Sequence, residues 1–287
     1  MILLDYSQIV IASVMKNSNE MSEGYIRHLV LNTIRMYYQK FNKEFGDMVI
    51  CCDASNNWRR EIFEHYKASR KTTRDKSDFD WSELFRILHL IREELEINFP
   101  YRVMYIDRAE ADDIIGALVI HTNRNKKLNG VYDEAEPLLI LSSDKDFQQL
   151  QKYENVKQYS PLKKTFIDNK KPVSFLKEHI MKGDTSDGIP NFLSDDDTFV
   201  TEKRQKPLST KKLSVWTELE PDVFCEKEML RNFRRNEMLI DLEKMPDWLF
   251  DNIVNTFETI EPVGRAKLFN YFVKHKLKNL MEHINEF

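Results

Sequence analysis

Short apolar runs alternate with helical patterns over the first half of the chain. The runs are mostly rich in Val, Ile and Leu and are bounded by polar residues, as expected for buried strands. They cover residues 2–4, 48–52, 103–106, 138–141 and, less clearly, 156–159. Between them, apolar residues recur at helical spacing over 20–45, over 81–95 and from near Ala109. Strands that alternate with helices predict an α/β fold, in which a mainly parallel twisted sheet is flanked by helices on both faces.

Beyond about residue 165 the strand pattern fades and helical patterns take over. They cover residues 173–181, 226–242, 248–260 and 264–284, and a charged, loop-like stretch spans 194–212. This change predicts an α/β domain over 1–165, with a basic bridge segment at about 54–79, and a C-terminal α-helical domain over 166–287.

Composition excludes several classes of protein. No apolar run approaches the ~20 residues that span a bilayer, and Asp5 interrupts the apolar start of the chain. We therefore expect a cytoplasmic monomer with no membrane association. Cys51, Cys52 and Cys225 form no CxxC pair, so buried reduced thiols are expected. The seven glycines form neither GxGxxG nor GxxxxGK, which removes support for a Rossmann or P-loop nucleotide site.

Acidic residues follow the predicted strands. Asp5, Asp53 and the pair Asp144 and Asp146 come at or shortly after three of them, and the strand at 103–106 leads into Glu110, Asp112 and Asp113. Parallel strands end at one edge of a sheet, where open α/β folds bind ligands. Each Asp alone is explained as readily by helix capping, but four coincident cases favour a site for Mg²⁺ or Mn²⁺, which prefer oxygen ligands. Spacing does not decide which two of Glu110, Asp112 and Asp113 bind metal.

A turn signal follows at residues 183–190, where Gly183, Gly188 and a proline bracket Asp184 and Asp187. Such a turn can offer backbone N–H groups to a phosphate and carboxylates to a metal ion. An ordinary Asx turn explains the same residues equally well.

The segment 58–76 carries seven Lys or Arg residues against three acids, interleaved with Trp58, Phe63, His65 and Tyr66. Cations beside aromatic rings are typical of a single-strand nucleic-acid site. The alternative is a solvated charged helix, and the position directly after Asp53 favours nucleic acid. The acidic triplet 195–197 is interpreted as surface, and no histidine is assigned a catalytic role.

Several motifs occur in the order LLDYSQ, CCDAS, YKASRK, EADD, SSDKDFQQL and GDTSDGIPN. In this order they resemble the 5′-nucleases related to flap endonucleases, in particular the bacteriophage members of that family, and the likeness covers the whole chain. The resemblance implies a two-metal, Mg²⁺-dependent (or Mn²⁺-dependent) 5′→3′ exonuclease and flap endonuclease. Its substrates would be RNA–DNA hybrids and DNA with free 5′ ends or flaps. It also implies RNA-primer removal during phage lagging-strand replication in the host cytoplasm, and a helix–three-turn–helix element in the C-terminal domain.

The resemblance also implies roles for individual residues. The residues expected to bind metal are Asp5, Asp53, Glu110, Asp112, Asp113, Asp144, Asp146, Asp184 and Asp187. Asp5, Asp53, Asp112 and Asp144 should hold the first ion and act in catalysis, and Glu110, Asp146, Asp184 and Asp187 the second. Lys67 should act on the scissile phosphate. The residues expected to contact nucleic acid are Arg59, Arg60, Tyr66, Lys67, Arg70, Lys71, Gly183, Gly188, Lys203, Arg204, Lys206, Lys211 and Lys212.

The chain departs from the family pattern after residue 190. A stretch without glycine replaces the expected glycine-rich half of the duplex-binding element, so contacts there would come from the basic residues of 203–212. No segment that could carry a clamp-binding peptide is visible, whereas a phage single-strand-binding protein is an implied partner. A PIN-type single-strand ribonuclease and a non-catalytic flap-binding module are the alternatives. The net charge of −4 becomes +5 once nine acids are assigned to the metal site, which suits a phosphate binder.

Overall fold

The computed structural model of the chain describes residues 1–16, 22–124 and 136–287, without the side chains of residues 71–73. Within these ranges six strands form one sheet in the order β3-β2-β1-β4-β5-β6. All neighbouring pairs are parallel except β5 and β6. The strands are β1 Ile2–Asp5, β2 Met48–Cys52, β3 Arg102–Tyr105, β4 Leu138–Leu141, β5 Val156–Ser160 and β6 Thr165–Ile167. The predicted α/β fold class is confirmed. The short edge strand β6 is largely exposed and has no apolar run that would predict it.

Helices cover the sheet and form most of the C-terminal part. The N-terminal helices are α1 Tyr6–Lys16, α2 Glu23–Phe45, α3 Arg59–Ile62, α4 Ala68–Asp75, α5 Trp81–Asn98 and α6 Ala111–Arg124. The later ones are α7 Pro172–Lys182, α8 Thr210–Trp216, α9 Pro221–Phe224, α10 Lys227–Ile240, α11 Asp247–Thr259, α12 Leu268–Lys274 and α13 Lys278–Met281. Within the described ranges, none of these helices combines the length and the apolar character needed to cross a membrane.

Side chains alternate between the two faces of the sheet because successive strand residues point in opposite directions. Ile2 and Leu4 pack in a cluster with α1, α2 and α5, while Leu3 packs in another with α6 and α11. Cys51 lies in the cluster of Leu3 and Cys52 in that of Ile2 and Leu4, and both thiols are free and buried, as expected from the sequence. Cys225 is also free but only partly buried, so the expectation of burial is wrong for it. The sheet is therefore covered on both faces, and its carboxyl edge is left for a site.

The C-terminal helices pack against the sheet domain and against one another. A third cluster gathers Phe192, Phe233 and other residues from α7 to α10, together with Phe63 and Tyr66 from the segment after β2. The helical pattern over 264–284 does not form one continuous helix, because α12 ends at Lys274 and the chain turns before α13. This break lets the terminal residue bury its ring beside Phe99. The domain boundary near residue 165 stays a prediction.

Candidate active site

Three neighbouring parallel strands deliver aspartates to one edge of the sheet. Asp5 is the last residue of β1, Asp53 directly follows β2, and Asp144 lies three residues beyond β4. Since β1 pairs with both β2 and β4, these residues meet at the carboxyl edge where open sheets bind ligands. Nearby donors hold each carboxylate in place. Asp5 accepts hydrogen bonds from Gln8 N at 3.1 Å and from Ser142 Oγ at 2.9 Å. Asp53 accepts one from Ala111 N at 2.9 Å, and Asp144 accepts one from Asp146 N at 3.0 Å.

Asp112, in the first turn of α6, joins these three residues, and we call Asp5, Asp53, Asp112 and Asp144 the first carboxylate group. Burial raises the pKa of Asp5 to about 7, with Asp53 and Asp144 adding to the shift. Burial and then Asp146 raise the pKa of Asp144 to about 6. Burial, Asp144 and Asp5 hold the pKa of Asp112 well above its usual range. The site's ion pairs go to other carboxylates, and none reaches this group within the described residues. Mutual repulsion is therefore only partly offset, by the more distant charge of Lys67 on Asp112.

Glu110, Asp146, Asp184 and Asp187 form a second carboxylate group, in which every member contacts a basic side chain. Glu110 lies 2.5 Å from Lys67 Nζ and 3.0 Å from Arg59 Nη1. Burial alone would raise its pKa, but Lys67 and then Arg59 lower it to about 2. Burial would lower the pKa of Lys67, but the neighbouring carboxylates of Glu110 and then Asp187 raise it above its usual value. Lys67 is therefore held as an ammonium ion within the site.

Asp187 connects the turn after α7 to the segment that carries Lys67. Its Oδ1 lies 2.5 Å from Arg70 Nη2, and its Oδ2 lies 3.5 Å from Lys67 Nζ. Its backbone carbonyl accepts a hydrogen bond of 2.8 Å from Lys67 N. Gly188 follows with a φ of +72°, and a Cβ there would lie 3.1 Å from His65 O. The turn and the basic segment are thus in direct contact, and this contact positions Lys67.

Asp184 forms a cluster with Asp146 and a histidine that the sequence does not single out. His179 Nε2 lies 2.8 Å from Asp146 Oδ1 and 3.5 Å from Asp184 Oδ2, and Lys145 Nζ lies 3.0 Å from the same Asp184 oxygen. Burial would lower the pKa of His179, but its bonds to Asp146 and then Asp184 raise it to about 9. Burial would raise the pKa of Asp184, yet His179, Ser186 and Lys145 hold it far below its usual range.

Asp113 differs from its neighbours in the EADD motif. It is fully buried, with Arg59 Nη2 at 2.8 Å and Trp58 Nε1 at 3.2 Å, and it accepts a bond of 2.9 Å from Glu110 N. An acidic residue in the first turn that reaches back to the preceding backbone N–H is a helix-capping arrangement. These contacts account for Asp113 without a metal ion, so its predicted role as a ligand gains no support from the geometry.

Most aromatic residues of the basic segment are core residues. Trp58 and Tyr66 are each 2% exposed and Phe63 is 4% exposed, so their rings are not available for base stacking. Arg59 is also 2% exposed, and its Nε donates to Leu239 O at 2.9 Å. Burial therefore contradicts the expected nucleic-acid contacts of Arg59 and Tyr66, whose polar groups are bonded inside the protein.

The remaining basic residues are more accessible. Arg60 is exposed and the side chain of Arg70 is 42% exposed, whereas the side chain of Lys71 lies outside the described residues. The basic residues after the turn are all exposed: Lys203, Arg204, Lys206, Lys211 and Lys212. Two of them pair with the acidic triplet, Lys203 with Asp197 at 2.8 Å and Lys206 with Asp195 at 3.1 Å. The triplet is thus a charge-balanced surface feature, as interpreted from the sequence.

The turn after α7 uses its N–H groups internally. Asp184 N donates to Ile189 O at 2.9 Å, Gly188 N to Thr185 O at 3.2 Å, and Ser186 N to Asp184 Oδ1 at 2.8 Å. The expectation that such groups are free to hold a phosphate is therefore wrong for these three. Gly183 and Gly188 have positive φ angles, which are needed for the turn's shape.

A cleft of about 570 Å³ opens beside the carboxylates. Asp53, Lys67 and Glu110 line it near the site, and Arg60, Arg70 and Arg74 supply positive charge. Phe85, Leu88 and Tyr105 add apolar surface. Its chemistry therefore combines a carboxylate-rich end with basic and apolar walls.

The fold and this edge of carboxylates define a class of nucleases. Residues 1–180 match the family model described as "5'-3' exonuclease, N-terminal resolvase-like domain", and residues 174–287 match "T4 RNase H, C terminal". The chain belongs to the 5′–3′ exonuclease family and is a 5′-nuclease of the ribonuclease H type.

Among individual proteins, the chain is 33% identical to ribonuclease H of Enterobacteria phage T4, over 99% of this chain and 95% of that protein. It is 31% identical to a 5'-3' exonuclease of Buchnera aphidicola subsp. Schizaphis graminum, over 61% of this chain and 57% of that protein.

Solved structures show the same fold at low identity. T5 5'-exonuclease with bound divalent metal ions (zinc) superposes with a TM-score of 0.62 at 13% identity, covering 90% of this chain and 98% of that chain. A T5 D15 flap endonuclease variant in complex with DNA and metal ions gives a TM-score of 0.62 at 14% identity, covering 90% and 97%.

Proposed function

We propose that the chain is a Mg²⁺-dependent 5′→3′ exonuclease and flap endonuclease that uses two metal ions. Its substrates are RNA–DNA hybrids and DNA with free 5′ ends or flaps, its products carry 5′-phosphates, and it removes RNA primers during phage lagging-strand replication in the cytoplasm of the bacterial host. The observation that carries this proposal is the meeting of two carboxylate groups with Lys67 at one edge of the sheet.

The donor chemistry of the first carboxylate group fits Mg²⁺. Its four members offer carboxylate oxygens, the ligands that Mg²⁺ and Mn²⁺ prefer. Asp5 and Asp144 have raised pKa values because buried like charges face one another without a basic partner. A divalent cation would relieve this repulsion. Asp5, Asp53, Asp112 and Asp144 would therefore hold the first ion.

The second carboxylate group would hold the second ion more weakly. Lys67, Arg70, Lys145 and His179 already neutralise much of its charge, so an ion must compete with them. When bound, the two ions supply activation of a water molecule and stabilisation of the leaving oxygen. Lys67, charged and next to both Glu110 and Asp187, stabilises negative charge that develops on the phosphate.

Nucleic acid would approach along the basic and apolar cleft. Arg60, Arg70 and Arg74 can bind backbone phosphates on the cleft side, while the exposed cations of 203–212 can bind duplex phosphates near the turn. A T5 flap endonuclease variant that shares this fold was crystallised with DNA, which supports nucleic acid as the ligand.

The proposal is tested with a 5′-labelled RNA–DNA hybrid and a forked DNA, each incubated with Mg²⁺ or EDTA and resolved by size. We expect cleavage from the free 5′ end or at the fork, only with the metal. Cleavage of a structured single-stranded RNA in preference to both would indicate the PIN-type ribonuclease instead. Tight flap binding without hydrolysis in Mg²⁺ or Mn²⁺ would indicate a binding module.

A further inference from the structure

His179 places a nitrogen donor in a site whose other ligand candidates are all oxygens. Its Nε2 lies 2.8 Å from Asp146 Oδ1 and 3.5 Å from Asp184 Oδ2, and one ligand atom from each residue lies within 4.8 Å of the others. The histidine is only 6% exposed, and its ring lies against that of Phe175 with centroids 5.8 Å apart. The imidazole is therefore held in place beside the two carboxylates.

Short, well-anchored elements fix this triad. His179 lies in the last turn of α7, and its carbonyl accepts a bond of 2.9 Å from Gly183 N. Gly183 then turns the chain back with a φ of +68°, which places Asp184 beside the histidine. Asp146 begins a 3₁₀ helix, and its N–H is bonded to Asp144. The triad's geometry thus follows from backbone structure.

The donor spacings are short enough for the three residues to share one ion. Ligands about 2.0–2.2 Å from a tetrahedral zinc ion lie roughly 3.4 Å from one another, comparable with the 2.8 Å and 3.5 Å found here. The two oxygens of Asp184 are used differently. Oδ1 accepts from Ser186 N and Oγ, while Oδ2 lies toward His179 and Lys145. Oδ2 is the oxygen that an ion would take.

Lys145 would compete with such an ion for Asp184 Oδ2. Its Nζ lies 3.0 Å from Asp184 Oδ2, but its side chain is 49% exposed. An exposed lysine can move into solvent without leaving a buried charge unpaired. His179 is buried and stays in the site, and an incoming ion would replace the proton on its Nε2, which is released to solvent.

We propose that His179 is a ligand of the second metal ion, together with Asp146 and Asp184, and that it gives this subsite a preference for Zn²⁺ over Mg²⁺. Imidazole nitrogen suits Zn²⁺, whereas Mg²⁺ and Mn²⁺ suit oxygen ligands; Mn²⁺ serves below as the paramagnetic probe of a nitrogen contact. The inference rests on the proposed two-metal function and adds metal selectivity to it. The first carboxylate group, made of oxygens only, keeps its fit to Mg²⁺.

The test uses the full-length protein and Mn²⁺ as the probe. Protein labelled with ¹⁵N-histidine is loaded with Mn²⁺ and examined by pulsed EPR, which detects a nitrogen bound to the ion. We expect ¹⁵N coupling in the wild type and in a control variant, His283→Gln, whose histidine is on the surface beside Glu286. We expect no coupling in His179→Gln, and a loss of Zn²⁺ affinity of about tenfold or more at one site, with Mg²⁺ affinity changed less than about twofold.

The absence of ¹⁵N coupling in the wild type at saturating Mn²⁺ would overturn the proposal, and this measurement needs no variant to fold. Coupling that persists in His179→Gln would overturn it as well. The failure of the proposed function has a different signature, because it would appear as an absence of Mg²⁺-dependent flap cleavage by the wild type. Flap cleavage with no nitrogen coupling would retain the nuclease and reject only the role of His179.

Discussion

Lys67 is the residue proposed to stabilise negative charge on the scissile phosphate. Its ammonium lies 2.5 Å from Glu110 and 3.5 Å from Asp187. We expect Lys67→Ala to lower kcat on a 5′-flap substrate by roughly 10²-fold or more, the usual effect of losing such a group, with a much smaller change in KM. The control is Lys157→Ala, which removes an exposed lysine of β5 that pairs with Glu44 of α2. Equal losses in the two variants would indicate a general effect of charge and contradict the specific role of Lys67.

Asp112 and Asp113 are adjacent but have different surroundings. Asp113 is fully buried against Arg59, so Asp113→Asn leaves a buried charge with less compensation, and breaking such a pair costs about 3–5 kcal/mol. We expect urea unfolding to show a large loss of stability in Asp113→Asn, whose remaining folded fraction still cleaves with Mg²⁺. Complete loss of cleavage in a fully folded Asp113→Asn protein would instead support its role as a metal ligand.

At the scale of elements, the turn after α7 depends on Gly183. Its φ is +68°, and a Cβ there would lie 2.3 Å from Ile189 O. A side chain in this conformation costs about 1–3 kcal/mol in backbone strain, to which the clash adds. We expect Gly183→Ala to lower Tm and to weaken cleavage, because Asp184 and Asp187 lie on this turn.

The matched control for that substitution is Gly24→Ala. Gly24 lies in α2 with open space around it, and alanine in a helix is more stable than glycine by up to about 1 kcal/mol. The Tm of the Gly24→Ala protein should equal or exceed that of the wild type. A Gly183→Ala protein as stable as Gly24→Ala would contradict the account of the turn.

Elements were predictable from the sequence where burial is one-sided or complete. The strands β1, β2 and β4 are buried throughout and therefore appear as plain apolar runs. Helix α1 is not predicted, because adjacent β-branched residues such as Val10 blur its periodicity and have low helix propensity. The residues around the break after α12 pack on the distant Phe99, a contact that local spacing does not encode.

Some site residues can be predicted from the sequence and others cannot. Strand-end aspartates are visible because topology alone brings them together. His179 is not visible, because its partner Asp146 is 33 residues away and no second histidine is near. For Asp113 a signal existed, since an acidic residue three positions after the residue that precedes a helix, here Glu110, is typical of capping. Trp58 and Tyr66 were misread because composition does not tell an inward ring from an outward one.

For the whole molecule, clustered carboxylates link stability to pH and metal. The pKa values of Asp5, about 7, and Asp144, about 6, exceed the ordinary 3.8, so between about pH 4 and 7 the folded state binds more protons than the unfolded state. Stability therefore falls as pH rises through this window. The pKa of His179 is raised from 6.5 to about 9, so this residue adds a further loss of stability as pH rises between those two values.

We accordingly expect the Tm of the protein in EDTA to fall between pH 5 and pH 8. Mg²⁺ binds the ionised carboxylates, so it should raise Tm strongly at pH 8 and little at pH 5. Differential scanning calorimetry at both pH values, with EDTA or Mg²⁺, measures this directly. A Tm in EDTA that stays level or rises with pH would show that the carboxylates are neutralised within the protein.

The carboxylates at the sheet edge are proposed to hold the metal ions that drive cleavage. A comparison of wild type and Asp112→Asn on one 5′-labelled flap DNA tests this, with cleavage followed in Mg²⁺ and affinity measured in Ca²⁺. We predict that Asp112→Asn abolishes cleavage and binds the flap as tightly as wild type or more tightly, because one repulsive charge is removed. Mg²⁺-dependent cleavage at the wild-type rate by Asp112→Asn would contradict the claim.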